Sequence, residues 1–174
     1  MKRILLPFLL LFIYNNLSAQ GGAGPDTDCT SSIPEICPEE SYPASVTGIA
    51  SAPGASFQCF TGGANTISEQ PAFFYFEAGV TGPLIMQIDP VDPFTGAVLF
   101  NPPNDLDFMC WGPFGSTATM CNGLTFTNLI TCSFSGGATE YCFLPNVIAG
   151  QLYVILVSNW VPVRRRASVT RYLH

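Results

Sequence analysis

Gln151-Leu152-Tyr153-Val154-Ile155-Leu156-Val157-Ser158 is the strongest strand signal in this 174-residue chain: an uncharged run dominated by β-branched and other apolar side chains. Working outward from it, similar signals recur at short spacing. Glu140 to Leu144 precedes it behind the turn residues Ser135-Gly136-Gly137-Ala138, and Leu124 to Thr131 reads as a further strand. Asp105-Leu106-Asp107-Phe108-Met109-Cys110-Trp111 alternates, which places Leu106, Phe108 and Cys110 on one face, and Gly112-Pro113-Phe114-Gly115 ends it. Pro83 to Asp89 groups Leu84, Met86 and Ile88 in the same way. Pro71-Ala72-Phe73-Phe74-Tyr75-Phe76-Glu77 is aromatic on both faces, which predicts a strand covered on both sides. The proline-rich stretch 89–104 predicts a long loop, with room for a short strand at Ala97 to Phe100. Glycine and proline are plentiful and long helical patterns are absent. Six or seven short strands without helices predict an all-β fold, an antiparallel β-sandwich or jelly roll.

The two ends differ from this body. Lys2 and Arg3, the apolar run Ile4 to Tyr14, and the polar stretch Asn15 to Gln20 have the layout of a secretory signal peptide, cleaved after Leu17-Ser18-Ala19. The apolar run is too short for the roughly 20 residues that a membrane-crossing helix needs. The expected organisation is a signal peptide at 1–19, an extended lead-in at 20–58 that wraps the domain, a β-sandwich core at 59–160, and a basic tail at 161–174. That tail carries Arg164, Arg165, Arg166, Arg171 and the only histidine, His174. It reads as a solvated basic tail, as one that pairs with the acidic domain, or as sequence foreign to the fold, such as a frameshift or an early stop leaves.

Between Ile4 and Val163 there is no lysine, arginine or histidine, while all twelve acidic residues lie there, for a formal charge of -12. Nucleic-acid affinity rests largely on cations that neutralise phosphates, so nucleic acid is excluded as a partner, and an anionic membrane surface with it. Nucleophilic catalysis by Ser or Cys needs a neighbouring base, and the domain offers no histidine or lysine to act as one. The expectation is therefore no enzyme. A secreted hydrolase fragment working with paired carboxylates is the least favoured alternative.

The seven cysteines, Cys29, Cys37, Cys59, Cys110, Cys121, Cys132 and Cys142, read in an exported chain as a disulfide framework that stabilises the fold. Their pairing is open, with Cys37–Cys59 favoured because the two are near in sequence, and the odd number leaves at least one sulfur without a partner.

Several segments carry a family resemblance. They are Pro71 to Phe76, Asp105-Leu106-Asp107-Phe108-Met109-Cys110-Trp111-Gly112-Pro113-Phe114, Cys132 to Ser135, Glu140 to Asn146, and Gly150 to Trp160, in that order. Together they resemble the amino-terminal module of large secreted surface proteins from gliding Gram-negative bacteria. More distantly they are similar to the pre-peptidase C-terminal domains that accompany secreted bacterial proteases. The resemblance spans roughly residues 25–160, and its Asp-x-Asp-Phe-x-x-Trp-Gly-Pro-Phe element is its most specific part. It implies a non-catalytic β-sandwich serving adhesion, substrate contact or a larger parent protein. Such modules continue with a Gly-rich turn and a final Thr/Ser/Phe-rich strand, where this chain has its arginine tail. The departure places the last strand in doubt, and with it the backbone pairing of Gln151 to Ser158.

Two candidate sites follow. Asp105 and Asp107, joined by Asp89 and also by Asp92 and Asn104, offer hard oxygen ligands of the kind calcium takes; the plainer alternative is that each caps a turn amide or solvates a loop. Trp111 and Phe114, with Tyr75 and Trp160, offer an aromatic platform for a sugar or a peptide; the plainer alternative is that they fill the core. The expected function is a non-catalytic secreted or cell-surface module, with a carbohydrate- or protein-binding adhesin domain as the alternative. The expected partners are an extracellular protein or glycan, without membrane insertion; no cofactor is expected, and calcium is the one candidate.

Overall fold

A strand whose successive side chains are all apolar stays soluble only if both of its faces are covered. The run at 151–158 meets that condition. The computed structural model describes residues 29–30, 33–36, 41–45, 59, 71–92, 95, 97–99, 105–159 and 166–173, with 41–45, 159 and 166–173 given by their backbone alone. In it the run becomes strand β7, Leu152–Asn159. Seven further strands surround it: β1 Ser41–Ser45, β2 Pro71–Glu77, β3 Gly82–Val91, β4 Leu106–Phe114, β5 Leu129–Ser133, β6 Glu140–Val147 and β8 Arg166–Leu173. They form two four-stranded sheets, ordered β1-β8-β3-β6 and β2-β7-β4-β5, and every strand pairing within them is antiparallel. The expected all-β, disulfide-stabilised sandwich is thus the observed architecture.

Between the sheets lies one core. Tyr153, Ile155 and Val157 of β7 meet Leu106, Phe108 and Cys110 of β4 and Phe74 and Phe76 of β2. The facing sheet contributes Leu84, Met86 and Ile88 of β3 and Cys142, Leu144 and Val147 of β6. The period-two groupings expected for β3 and β4 are the ones that face inward. Tyr153 stacks on Phe76 with ring centroids 5.2 Å apart, and its hydroxyl accepts the Ile148 amide at 2.9 Å, so the one polar atom of this large side chain is satisfied.

The other face of the β2-β7-β4-β5 sheet carries a second core. Leu152, Val154 and Leu156 pack there with Phe73, Met109, Trp111 and Phe114. Its cover comes from two non-strand pieces. One is a helical turn, α1 (Thr117–Met120), which runs into a 3-10 turn at Cys121–Gly123 and supplies Met120, Cys121 and Leu124. The other is the lead-in, which supplies Cys29 and Ile33. The lead-in also docks by its backbone: the Ile36 amide donates to the Tyr75 carbonyl at 2.7 Å, and the Tyr75 amide to the Pro34 carbonyl at 3.0 Å. The free edge of β2 is closed in this way, in a short parallel bridge.

Three expectations need correcting. Leu124 to Thr131 is not one strand: Phe126–Asn128 is a 3-10 turn, and the strand starts at Leu129. Leu124 is anchored in the second core, and Asn128 donates its side-chain amide to the Gly123 carbonyl at 2.8 Å, which bends the backbone. The 89–104 stretch is not all loop either, because Asp89, Pro90 and Val91 continue β3. Pro90 is tolerated because the pairing of β3 with β6 ends at Ile88, so no donor is needed on that side, and its carbonyl accepts the Leu99 amide at 2.8 Å. Finally, the arginine-bearing tail is a strand. β8 lies between β1 and β3, with Leu84 opposite Leu173 and Val91 opposite Arg166. The last strand forms, and β7 is paired on both sides, by β2 and by β4. The signal-peptide reading of residues 1–20 lies outside the described residues.

Ending the chain at Val163 removes β8, strands β1 without a partner and opens one side of β3. The expected outcome is loss of cooperative thermal unfolding and a shift to aggregates in size-exclusion chromatography; an unchanged melting curve would contradict this topology.

Candidate functional site

The acidic residues singled out from the sequence separate into two groups. Asp89 has both oxygens occupied: Gln87 donates to one at 2.8 Å and Thr139 to the other at 2.7 Å. Asp92 accepts the amide and the hydroxyl of Thr95 at 2.8 and 3.1 Å, so it caps a turn. Asn104 lies outside the described residues. Asp105 and Asp107, at the start of β4, instead lie within the field of Glu140 at the start of β6. Glu140 itself accepts a short hydrogen bond from the Ser135 hydroxyl.

Asp107 is the unusual member. It is 1 % exposed, and no side chain donates to either of its oxygens; Oδ1 of Asp105 lacks a donor as well. Burial is the main cause that raises the Asp107 pKa to about 7, followed by the neighbouring charges of Asp105 and then Glu140, while the Ser135 backbone amide acts in the opposite direction. The Asp105 carboxyl is also raised, by burial first and by Glu140 second. Among the described residues no three His, Cys, Asp or Glu side chains converge in a way that holds a metal ion. Of the three aspartates offered as calcium ligands, Asp89 is held by Gln87 and Thr139, while Asp105 and Asp107 share the field of Glu140. Asp107 itself is closed to any substrate.

The aromatic candidates move inside. Trp111 is fully buried in the second core, with its indole N–H unpartnered. Phe114 is buried as well, its ring lying over Gly123 so closely that any Cβ there would collide with it. Between them Gly112 has φ +152°, and a Cβ on it would sit 2.5 Å from the Tyr153 ring. The loop-side location that made Trp111 and Phe114 attractive as a platform is the place where α1 and the lead-in fold down over them. Tyr75 is partly covered and donates its hydroxyl to Glu35 at 3.1 Å. Trp160 lies outside the described residues.

The exposed aromatics among the described residues are others: Phe126, Phe134, Tyr141 and Phe143. Tyr141 and Phe143 are 61 % and 49 % exposed, on the outward face of β6, an edge strand. In register beside them on β3 stand Gln87 and Ile85, and Ile85 is in turn opposite Tyr172 of β8. Sequence reasoning missed this pair. Glu140 to Leu144 shows aromatic and apolar side chains at consecutive positions, which alone reads as a strand covered on both sides; only the topology reveals that one side is bare.

The cysteines also differ from expectation. Cys59 is joined to Cys132, not to Cys37, and Cys29 is joined to Cys121. These bridges close 92 and 73 residues of sequence and fasten the covering segments onto the β4-β5 side of the molecule. Each is worth roughly 4 kcal/mol on a chain-entropy basis. Cys110 and Cys142 are free thiols buried in the inter-sheet core, and Cys37 lies outside the described residues. Among the described residues no helix is long and apolar enough to cross a membrane.

No protein-family model matches the chain, and no curated protein matches it. Among solved structures it is similar to the pre-peptidase C-terminal domain of a collagenase from Bacillus anthracis, with 7 % sequence identity and a TM-score of 0.46, over 80 % of this chain and 94 % of that one. That is the domain type to which the sequence segments bear their more distant resemblance.

The buried Asp107 sets a pH dependence. Its folded-state pKa lies above the ordinary 3.8, so the folded protein holds the proton more tightly than the unfolded chain. Its contribution is fully present below about pH 4 and is lost as pH rises to about 7, then stays level. The stability difference between Asp107→Asn and the native chain is expected to shift in favour of the variant by roughly 2–4 kcal/mol between pH 4 and pH 8, read by urea denaturation.

Proposed function

We propose that this chain is a non-catalytic extracellular contact module, which engages a glycan through the outer face of β6 and β3. The observation that carries the reading is the exposed pair Tyr141 and Phe143, two residues apart on one strand face and flanked by Ile85 and Gln87. At about 3.3 Å per residue their rings stand roughly 7 Å apart along a pleated surface. Flat aromatic rings with a polar edge group beside them suit the apolar face of a sugar ring, and large apolar side chains grouped at a surface commonly mark a contact site.

The surrounding chemistry supports the same reading. Between residues 4 and 163 the domain has no histidine or lysine to activate a Ser or Cys nucleophile. Two long-range disulfides fit folding in an oxidising compartment, in keeping with the signal-like start of the sequence. Attachment to a larger surface protein is part of the proposal, and it rests on the resemblance of the segments quoted above.

Binding to a panel of insoluble polysaccharides and immobilised matrix proteins tests the proposal. Tyr141→Ala and Phe143→Ala are expected to weaken glycan retention at least about tenfold each, the order of a lost aromatic contact worth about 1.4 kcal/mol, with unchanged melting temperature because both side chains are exposed. Trp111→Ala is the contrasting variant and should lose about 3–5 kcal/mol of stability. Retention only on matrix proteins would replace the glycan with a protein partner; retention unaffected by both β6 variants would overturn the site.

A further inference from the structure

Cys110 and Cys142 are both fully buried and belong to the same inter-sheet core, yet they come from opposite sheets, Cys110 from β4 and Cys142 from β6. Their thiols are close enough to hydrogen-bond one another. The two bridges already present do not join sheet to sheet. Cys29–Cys121 ties the lead-in to the helical turn after β4, and Cys59–Cys132 ties residue 59 to β5. The strand register continues the argument. Cys110 stands opposite Ile155 at the centre of its sheet, and Cys142 stands opposite Met86 in the other, so the pair sits in the middle of the sandwich and not at a frayed end.

We infer that Cys110 and Cys142 are a cross-linking site that closes a third disulfide, the one that joins the two sheets, when the chain folds against an external disulfide. In the exchange, one cysteine thiolate attacks a sulfur of a small-molecule or protein disulfide and forms a mixed disulfide, releasing one thiol. The thiolate of the second cysteine then displaces the remaining half, releasing the other thiol. Two cysteine thiols have lost two protons and two electrons, and the external disulfide has been reduced to two thiols. The step belongs to the folding phase. Once the core has closed, burial and the neighbouring Cys110 push the Cys142 thiol pKa well up, so little thiolate is available and no reagent reaches either sulfur. The pairing also resolves the cysteine count, because it leaves Cys37 as the one sulfur without an assigned partner.

The inference relies on an oxidising environment during folding, as in the functional reading above, and an in vitro experiment separates the two. The full chain is denatured, reduced, and refolded in a mixture of reduced and oxidised glutathione. Remaining thiols are then blocked with N-ethylmaleimide in denaturant without reductant. Pepsin is used for digestion, because trypsin has no lysine or arginine to cleave at between Arg3 and Arg164. The expected map contains a Cys110–Cys142 linked peptide beside the Cys29–Cys121 and Cys59–Cys132 ones. Recovery of those two bridges with Cys110 and Cys142 both carrying maleimide would overturn the inference, whether or not the chain is exported in its host. In Cys142→Ala refolded in the same way, Cys110 is expected to become fully maleimide-reactive; if it stays blocked, its partner is another cysteine and the assignment is wrong. The bridge is also expected to raise the melting temperature of refolded native chain over that of Cys110→Ala/Cys142→Ala by roughly 5–10 °C, and equal values would contradict it.

Discussion

Burial of β7 on both of its faces is the constraint from which the rest of the molecule follows. Tyr153, Ile155 and Val157 need a facing sheet, and Leu152, Val154 and Leu156 need something else. An antiparallel sandwich ordinarily buries one face of each sheet and leaves the other to water. Here the β2-β7-β4-β5 sheet has an apolar outer face as well, so a third layer is required. A helical turn and an extended lead-in provide it. Neither has a core of its own; Cys29–Cys121 links the two to each other, and Cys59–Cys132 ties residue 59 to β5 beside them.

The same arrangement decides which side chains are available for contact. Trp111 and Phe114 sit on the covered side of their sheet and are consumed by the third layer. The β1-β8-β3-β6 sheet has no such cover at β6, so Tyr141 and Phe143 remain at the surface. Asp107 is caught in the covered region too. Its burial raises its pKa, a liability for stability at neutral pH.

Much of the fold was legible because period-two patterning is a local signal. The inward groups Leu84, Met86, Ile88 and Leu106, Phe108, Cys110 follow directly from it, as does the two-sided cover expected for Phe73 to Phe76. What failed depends on contacts that are distant in sequence. The disulfide partners lie 92 and 73 residues apart, so proximity in sequence pointed wrongly to Cys37–Cys59. The helical turn at Thr117–Met120 is too short for a helical period to register. Arg166–Leu173 carries charges that obscure its strand character, and only its position between β1 and β3 identifies it. Alternation also says which residues share a face, but not which face the third layer covers, so the burial of Trp111 and Phe114 is not legible from it.

Polar substitution at two adjacent positions of β7 addresses the two-sided burial most directly. Ile155→Asn points an amide into the inter-sheet core, and Val154→Asn points one into the outer core. Thermal unfolding should show both variants destabilised to a similar degree, by about 3 kcal/mol or more, since each leaves a buried polar group unsatisfied and removes apolar packing. A tolerant Val154→Asn beside a disrupted Ile155→Asn would mean that the outer face meets water and that the third layer does not exist.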